Sequence, residues 1–330
     1  MIFCPYCLGE HPELKEVDKE GMKVEVCPKC GNEIAPMYKS ESQRYARTVI
    51  SAVGFVGHGK TVYFGSLFHT IETILPKFWR DFSCYPIDAK SLHIVEDNMR
   101  ELQRGYLPEK TLQNFSDPTI LSIRHPANNG RQLFLFYDNS GETFYNMTTG
   151  VKYASYIKYS KTMTFFISLT DIIAEAKKSH MTYDFEAARL LRQYLLGMAE
   201  LKADTAKQHL VVTVTKADEI VERLPTKLKE YLYHGHQGLE DLEHYRGNLY
   251  KISEMVKEFL AHSLRGEMFV NLAQSSFASV SYCIISALGA EPRGNRLSAR
   301  MLPRRVMDPM VLAMYPPAVP KRWLNWLTCR

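Results

Sequence analysis

One stretch of the sequence combines glycines, a lysine and a threonine in a pattern that binds phosphate. Gly54-Phe55-Val56-Gly57-His58-Gly59-Lys60-Thr61 fits G-x-x-x-x-G-K-S/T, a loop whose backbone N–H groups surround phosphate oxygens. Lys60 is expected to reach the β- and γ-phosphates of a nucleotide, and the Thr61 hydroxyl to bind Mg²⁺. The positions predicted to contact the nucleotide here are Gly54, Val56, Gly57, His58, Gly59, Lys60, Thr61 and Val62.

The elements on either side of this loop are those that the chemistry requires. Residues 48–53 form an apolar, β-prone run that ends at Gly54. Residues 62–74 carry Leu67, Phe68 and Ile71 at helical spacing. A strand, a glycine loop and a helix in this order direct the positive end of the helix dipole at an anion. The alternative, a glycine-rich turn with a chance lysine, does not account for this context.

Composition and the first residues argue against a membrane-spanning or secreted protein. The 330 residues are 45% hydrophobic and 23% charged, as in soluble globular proteins. No apolar run of about 18 residues is free of charge, so we expect no membrane-spanning helix. The first residues, Met-Ile-Phe-Cys-Pro, do not resemble a secretion signal. We therefore predict a cytoplasmic protein, in which paired cysteines bind metal more often than they form disulfides.

Two C-x₂-C pairs near the N-terminus predict a metal site. They are Cys4-Pro-Tyr-Cys7 and Cys27-Pro-Lys-Cys30, the second followed by a glycine. Four thiolates at this spacing match a tetrahedral Zn²⁺ site in a small ribbon. The alternative, free or redox cysteines, would leave this short segment with almost no core. Residues 1–40 hold five lysines against seven acids, so nucleic-acid binding by the ribbon is disfavoured.

Composition along the chain suggests four segments. Residues 1–40 are the zinc ribbon, the polar residues 41–47 a linker, 48–315 the main domain and 316–330 a basic, aromatic tail. From Arg293 onward there are eight Lys and Arg and one acid, Asp308, so this segment carries a charge of +7. The whole chain carries +5, so the residues before Arg293 carry −2. The tail could contact an anionic membrane or a partner, or fold back with its tryptophans buried.

Asp138 is expected to lie beside the phosphate loop. Two β-prone runs, 119–125 and 131–137, flank a turn-prone Ala-Asn-Asn-Gly and predict a hairpin. The second run ends in Asp138-Asn-Ser-Gly141-Glu142. Because doubly wound sheets bind ligands at the carboxyl ends of their strands, we predict that Asp138 holds the water shell of Mg²⁺. The Gly141 N–H is predicted to face the γ-phosphate.

A second polar motif follows another buried strand. Residues 161–169 predict a strand and 183–202 a helix, and the strand 209–214 then ends in Thr215-Lys216-Ala217-Asp218. Considered alone, this motif is an ordinary helix start with a capping aspartate. Together with the phosphate loop and the motif that starts at Asp138, it has another interpretation.

In order, spacing and position at strand ends, these three motifs resemble those of P-loop GTPases of the Ras-like and translation-factor kind. A weaker fourth motif is Ser286-Ala287-Leu288, after the strand 281–285. The resemblance covers residues 48 to 315, roughly. It implies an α/β fold: a doubly wound G domain, with a mostly parallel sheet and one antiparallel edge strand, preceded by the zinc ribbon.

The resemblance also implies a guanine site. Asp218 would accept hydrogen bonds from the N1 and N2 groups of guanine, and the stem of Lys216 would lie against the base. The backbone of Ser286 and Ala287 would meet the guanine O6, so the implied base-site residues are Thr215, Lys216, Asp218, Ser286, Ala287 and Leu288. Such a site penalises adenine, which leaves its polar groups unsatisfied.

Catalytic roles follow from the same resemblance, with two departures. The implied residues are Lys60, Thr61, Asp138, Gly141, Glu142 and a Mg²⁺-binding threonine in the first switch loop, for which Thr111 is the candidate and Thr119, at the start of the next strand, its rival. Glu142 occupies the place where related GTPases carry Gln or His to position water, so hydrolysis is expected to be slow. Val56 replaces the glycine of Ras-like loops, as translation factors allow. His58 is expected to pack the loop rather than to catalyse.

Among GTPases, the sequence around the phosphate loop together with Leu107-Pro-Glu-Lys-Thr111 resembles the bacterial double-GTPase-like families. Some of those have an N-terminal zinc ribbon, and they are linked to conflict or defence systems. The resemblance implies a protein partner, which could be a second G-domain protein. The expected function is a slow, Mg²⁺-dependent GTP switch. The alternatives are a non-hydrolysing, nucleotide-gated scaffold and an ATP-using P-loop enzyme, against which Asp218 argues.

Overall fold

The computed structural model describes residues 1–55, 57–108, 117–125, 130–138, 160–178 and 186–317. The strands are β1 (Ile2–Phe3), β2 (Glu10–His11), β3 (Lys15–Lys19), β4 (Met22–Val26), β5 (Ala46–Val53), β6 (Ser83–Pro86), β7 (Thr119–His125), β8 (Gly130–Asp138), β9 (Thr162–Ser168), β10 (His209–Thr215) and β11 (Ser279–Ile284). The α-helices are α1 (Pro36–Arg44), α2 (Lys60–Thr73), α3 (Leu75–Phe78), α4 (Ala89–Gln103), α5 (Leu169–Lys178), α6 (Glu186–Glu200), α7 (Thr226–Tyr233), α8 (Leu242–Glu258), α9 (Glu267–Ser276) and α10 (Asp308–Met314).

Among the described residues, seven strands form the central sheet, in the order β11-β10-β9-β5-β8-β7-β6. Strands β5, β8, β9, β10 and β11 are parallel, and β7 is antiparallel to both of its neighbours. All residues of β9 and β10 are buried, as expected for parallel strands that are covered on both faces. The predicted fold class, a mostly parallel P-loop α/β sheet, is confirmed.

One detail of the sheet differs from the sequence prediction. Strand β6 pairs with β7 and forms the edge, so the antiparallel strand β7 is second from the edge. β6 has only four half-buried residues and ends in a proline, so it offers no period-two pattern to recognise. The predicted 119–125 and 131–137 hairpin strands are present as β7 and β8, and the turn between them lies outside the described residues.

Aromatic contacts show which helices cover each face of the sheet. On one face, the rings of Phe64 and Phe68 of α2 pack edge-on against Phe136 of β8, at 5.8 and 5.5 Å between centroids. On the other face, Phe165 of β9 packs against Phe269 of α9 at 5.7 Å. Successive residues of a strand point to opposite faces. Tyr137 therefore points away from α2.

The N-terminal ribbon covers the face of β8 and β5 to which Tyr137 points. The Tyr137 hydroxyl donates a hydrogen bond to the carbonyl of Pro5 at 2.6 Å, inside the first cysteine pair. The guanidinium of Arg47, on β5, lies 4.5 Å from the centre of the Phe3 ring. The Tyr38 hydroxyl of α1 donates to the Phe3 carbonyl at 2.9 Å. Phe3 and Tyr38 belong to the same buried cluster as the sheet.

Residues 41–47, predicted as a linker, are regular structure: α1 runs to Arg44 and β5 begins at Ala46. These residues were interpreted as a linker because they are polar. They are polar because α1 exposes most of its length to solvent and buries only Tyr38. The sequence analysis also did not identify α5 or α9. Helix α5 starts directly where β9 ends, without the turn residues that normally separate two elements.

Candidate functional site

The phosphate loop follows β5, and its last two residues, Lys60 and Thr61, are the first two residues of α2. Gly57 and Gly59 have φ angles of 85° and 79°, in the left-handed region that favours glycine. The Lys60 ammonium donates to the carbonyls of Gly54 and Phe55 at 2.8 and 2.9 Å, and its side chain is 7% exposed. Burial lowers the pKa of Lys60 to about 8, while the charge of Asp138 acts in the opposite direction. Thr61 and Val62, in the first turn of α2, are half-buried.

Gly54 is required for the close approach of this loop to β9. A Cβ atom at this position would lie 2.8 Å from the Phe166 carbonyl oxygen and 3.0 Å from its Cβ. We expect Gly54→Ala to displace the loop and to weaken GDP binding by about tenfold or more, with a small loss of thermal stability. Calorimetric titration with GDP measures the effect.

The matched control is Gly197→Ala, in α6, where an added Cβ meets nothing within 4 Å. This variant should be neutral or stabilising by about 0.5–1 kcal/mol and should bind GDP like the wild type. Equal dissociation constants for both variants would show that the approach of Gly54 to β9 does not shape the loop.

His58 joins the loop to β9. Its Nδ1 atom lies 2.9 Å from the Phe166 carbonyl oxygen, and its ring packs edge-on against Phe55 at 5.3 Å. Burial lowers the pKa of His58 to about 4, which leaves the imidazole neutral near pH 7. These are the contacts of a residue that packs the loop.

Asp138 ends β8 beside the phosphate loop. Ala52 of β5 and Asp138 are register partners, and β5 runs from there directly into Gly54. Thr119 is buried at the start of β7, opposite Phe136. The other residues predicted from the switch and catalytic motifs, Thr111, Gly141 and Glu142, lie outside the described residues, as does Val56.

The motif that begins at Thr215 meets the phosphate loop at the same edge of the sheet. The Thr215 hydroxyl lies 2.9 Å from the carbonyl oxygen of His58 and 3.2 Å from that of Ile167. Lys216 has a φ angle of 58°. This left-handed residue turns the chain away from β10, and Asp218 follows at the start of a 3₁₀ helix, Ala217–Arg223.

The loop at Ser286 is held by hydrogen bonds to α2 and to the segment 302–304. The backbones of Ser286 and Arg304 exchange two hydrogen bonds, at 3.1 and 2.8 Å. The Ser66 hydroxyl of α2 donates to the Ala287 carbonyl at 2.7 Å. The N–H of Leu302 donates to the Leu288 carbonyl at 2.8 Å. The predicted loop 286–288 therefore lies between α2 and the segment 302–304.

A pocket of about 690 Å³ lies beside these loops, lined by residues that include Thr170, Asp218, Glu219, Tyr233, Gly289 and Arg304. Asp218 is half-buried there. Burial raises the pKa of the Asp218 carboxyl above its ordinary value, and the Ser286 hydroxyl and the charge of Arg304 act in the opposite direction. A carboxylate in this place can accept hydrogen bonds from a ligand with two N–H donors.

The four predicted cysteines converge on a site that could hold a metal. The Sγ atoms of Cys4 and Cys30 are 3.7 Å apart, and those of Cys7 and Cys27 are 3.6 Å apart. A tetrahedron with 2.3 Å Zn–S bonds has edges of about 3.8 Å, so the donor set fits Zn²⁺. Burial would raise the pKa of Cys27, but the backbone N–H groups of Cys30 and Lys29 lower it below its ordinary value.

The sequence analysis missed a residue next to this cluster. The Nε2 atom of His11 lies 3.3 Å from the Sγ of Cys27 and 3.6 Å from that of Cys7. Gly9 permits this approach, because a Cβ there would be 2.9 Å from His11 Nε2. The histidine four residues after Cys7 was the available signal, since C-x₂-C pairs with a nearby His are common at zinc sites.

Together, a doubly wound sheet, a glycine loop that runs into a helix, and polar motifs at the ends of neighbouring strands define a P-loop nucleotide-binding protein. The family model for Double-GTPase 2 matches residues 48–275, more than two thirds of the chain. The chain belongs to the Double-GTPase 2 family, and its P-loop domain is a GTP-binding domain. No curated protein matches the sequence. Among the described residues, no helix is long and apolar enough to span a membrane.

Proposed function

We propose that this protein binds GTP and GDP with Mg²⁺ and acts as a nucleotide-dependent switch that hydrolyses GTP slowly. The observation that carries the proposal is the hydrogen bond, 2.9 Å long, between the Thr215 hydroxyl and the His58 carbonyl. It joins the motif that ends in Asp218 to the phosphate loop. One nucleotide can therefore place its phosphates on the loop and its base against Asp218.

Each residue of the site has a role in this proposal. Lys60 and the first N–H groups of α2 bind the phosphates. Thr61 and Asp138 would hold Mg²⁺, which neutralises charge on the phosphate oxygens when it is bound. Asp218 accepts hydrogen bonds from guanine, and the loop at Ser286 contacts its O6. The γ-phosphate would order the loops that contain Gly141 and Thr111 or its rival Thr119, as in other GTPase switches.

The zinc ribbon and the partner also belong to the proposal. Zn²⁺ at the four cysteines would be structural, and cysteine pairs that bind metal rather than form disulfides fit a reducing cytoplasm. The partner would be a protein, either a second G-domain protein or another component of a signalling or defence complex. The tail 316–330 would contribute a basic, aromatic contact to that partner or to a membrane surface.

The test is binding of fluorescent GDP with and without Mg²⁺, competed by GTP and by ATP. We expect GTP to compete and ATP not to, and Asp218→Ala to lose binding by about a hundredfold. The control variant is Asp204→Ala, an exposed aspartate, which should bind like the wild type. Equal competition by ATP, or unchanged binding by Asp218→Ala, would overturn the guanine site and favour an ATP-using protein.

A second candidate function is a nucleotide-gated scaffold without hydrolysis, and Glu142 is the observation that favours it. A carboxylate at this place is repelled by the γ-phosphate and cannot readily position water. If Glu142 limits turnover, Glu142→Gln should raise the GTP hydrolysis rate, measured as released phosphate. No turnover by either protein, with GDP binding intact, would support the scaffold.

A further inference from the structure

We propose that Arg304, held against Tyr233, is a specificity-determining residue of the base site and sets the preference for guanine by balancing the charge of the Asp218 carboxylate in the pocket that both residues line. This inference rests on the proposed guanine site and adds to it a residue that lies outside its four motifs. Arg304 lies in the basic segment that follows the loop at Ser286. The role implied for that loop, contact with the guanine O6, therefore does not include Arg304.

The backbone places Arg304 next to the base site. Its N–H and carbonyl exchange hydrogen bonds with Ser286 in an isolated antiparallel bridge. This bridge uses main-chain atoms only, so it persists when the side chain is changed. The side chain of Arg304 lines the same pocket as Asp218, Gly289 and Tyr233. Arg304 is therefore fixed at the pocket by its backbone and acts in it through its side chain.

Tyr233 limits where the guanidinium can go. The Arg304 Cζ atom lies 4.3 Å from the centre of the Tyr233 ring, a cation–π geometry. Tyr233 ends α7 and is 52% exposed, so its ring lies at the surface of the protein rather than in the core. The ring holds a flexible side chain in one region of the pocket, which reduces the entropy lost when a ligand binds.

The adjacent arginine, Arg305, has a structural role in the core, which distinguishes it from Arg304. Arg305 is buried, its guanidinium lies 3.6 Å from the Tyr231 ring centre, and its Nε donates to the Tyr231 carbonyl at 2.9 Å. The Tyr231 hydroxyl in turn donates to the buried Asp308 at 2.6 Å. Arg305 therefore anchors α7 to the segment before α10. Arg304 contacts the same helix through the half-exposed Tyr233 at its end, and is itself half-exposed in the pocket.

The charges around Asp218 explain why a cation is needed. Burial and Glu291 both favour the protonated carboxyl, whereas the Ser286 hydroxyl and Arg304 favour the carboxylate. The carboxylate can accept one N–H group on each of its two oxygens, whereas the protonated carboxyl carries an O–H donor on one of them. Guanine offers a ring N–H and an amino group on one edge, hypoxanthine offers the ring N–H alone, and adenine offers neither in this arrangement. Loss of Arg304 should therefore cost guanine more than hypoxanthine.

The experiment measures the dissociation constants of GDP, IDP and ADP by competition with fluorescent GDP. We expect Arg304→Gln to weaken GDP binding by about five- to tenfold, as for loss of one nearby charge in a partly buried site, and IDP binding by less. The GDP preference over IDP then falls. Tyr233→Ala should show part of this loss and Tyr233→Phe, which keeps the ring, none.

The matched control is Arg300→Gln, an exposed arginine of the same segment outside the pocket lining, for which all three constants should be unchanged. Thermal unfolding should be the same for Arg304→Gln and the wild type. An unchanged ratio of GDP to IDP affinity in Arg304→Gln, whether both weaken equally or neither does, overturns the inference while leaving the guanine site intact. A wild type that binds ADP as well as GDP overturns the proposed function and this inference with it.

Discussion

Lys60→Met is expected to weaken GDP and GTP binding by about a hundredfold or more. This is the usual effect of removing a buried protein charge that pairs with a charged ligand. The Lys60 ammonium is nearly buried at the phosphate loop and directed to carbonyls of that loop. Its burial lowers its pKa although the charge of Asp138 acts in the opposite direction, so the charge costs folding free energy that a bound phosphate would recover further. The fold of Lys60→Met should therefore be at least as stable as the wild type without nucleotide.

The measurements are calorimetric titration with GDP and thermal unfolding with and without GDP. Lys77→Met, at an exposed lysine of α3, is the control and should keep both the affinity and the GDP-induced rise in the unfolding temperature. If Lys60→Met bound GDP as tightly as the wild type does, the phosphates would have to bind elsewhere. A marked fall in the unfolding temperature would show that Lys60 is mainly a structural residue.

Removal of the metal that we expect at the four-cysteine site should destabilise the whole protein, because the ribbon packs on its core. The Tyr137 hydroxyl bonds to Pro5, and Phe3 and Tyr38 share the buried cluster of the sheet. Structural zinc supplies much of the folding free energy of small ribbons. We expect chelation, or Cys4→Ser, to lower the unfolding temperature by about 10 °C or more. GDP affinity should fall too, since Tyr137 directly precedes Asp138.

Metal content and unfolding temperature should be followed together during chelation, with GDP binding measured at each stage. Cys84→Ser, at a half-buried cysteine of β6 outside the four-cysteine cluster, should retain the metal and full stability. A metal-free protein with unchanged unfolding temperature and GDP affinity would contradict the arrangement, and would make the ribbon an independent module. Restoration of both properties by added Zn²⁺ would exclude irreversible damage.

Short-range patterns accounted for the phosphate loop and the elements around it. Gly54 to Thr61, the strand before it and the helix after it are neighbours in sequence, and their conformation depends on the same few residues. The same holds for the pairs of cysteines, whose spacing alone indicates a tetrahedral site. The strands β9 and β10 were also predictable, since full burial makes them continuously apolar.

Weak local signals explain most of the differences. Strand β6 and helix α1 bury few residues, so their patterns are hidden, and the polar stretch 41–47 was interpreted as a linker. Helix α5 continues directly from β9, which removes the break that normally separates two elements. In each case the neighbours in space, not the residues themselves, stabilise the element.

The sequence by itself determined that the chain has a phosphate loop, two cysteine pairs at metal-ligand spacing and an aspartate in a polar motif that follows a buried strand. Only the tertiary structure decided that the ribbon covers the sheet beside Asp138, that His11 lies against the cysteines, and that Arg304 pairs with Ser286 and lines the same pocket as Asp218. The reason is physical. Motifs are read from residues that are adjacent in the chain, whereas these contacts join segments that meet only when the sheet has formed and its faces are covered.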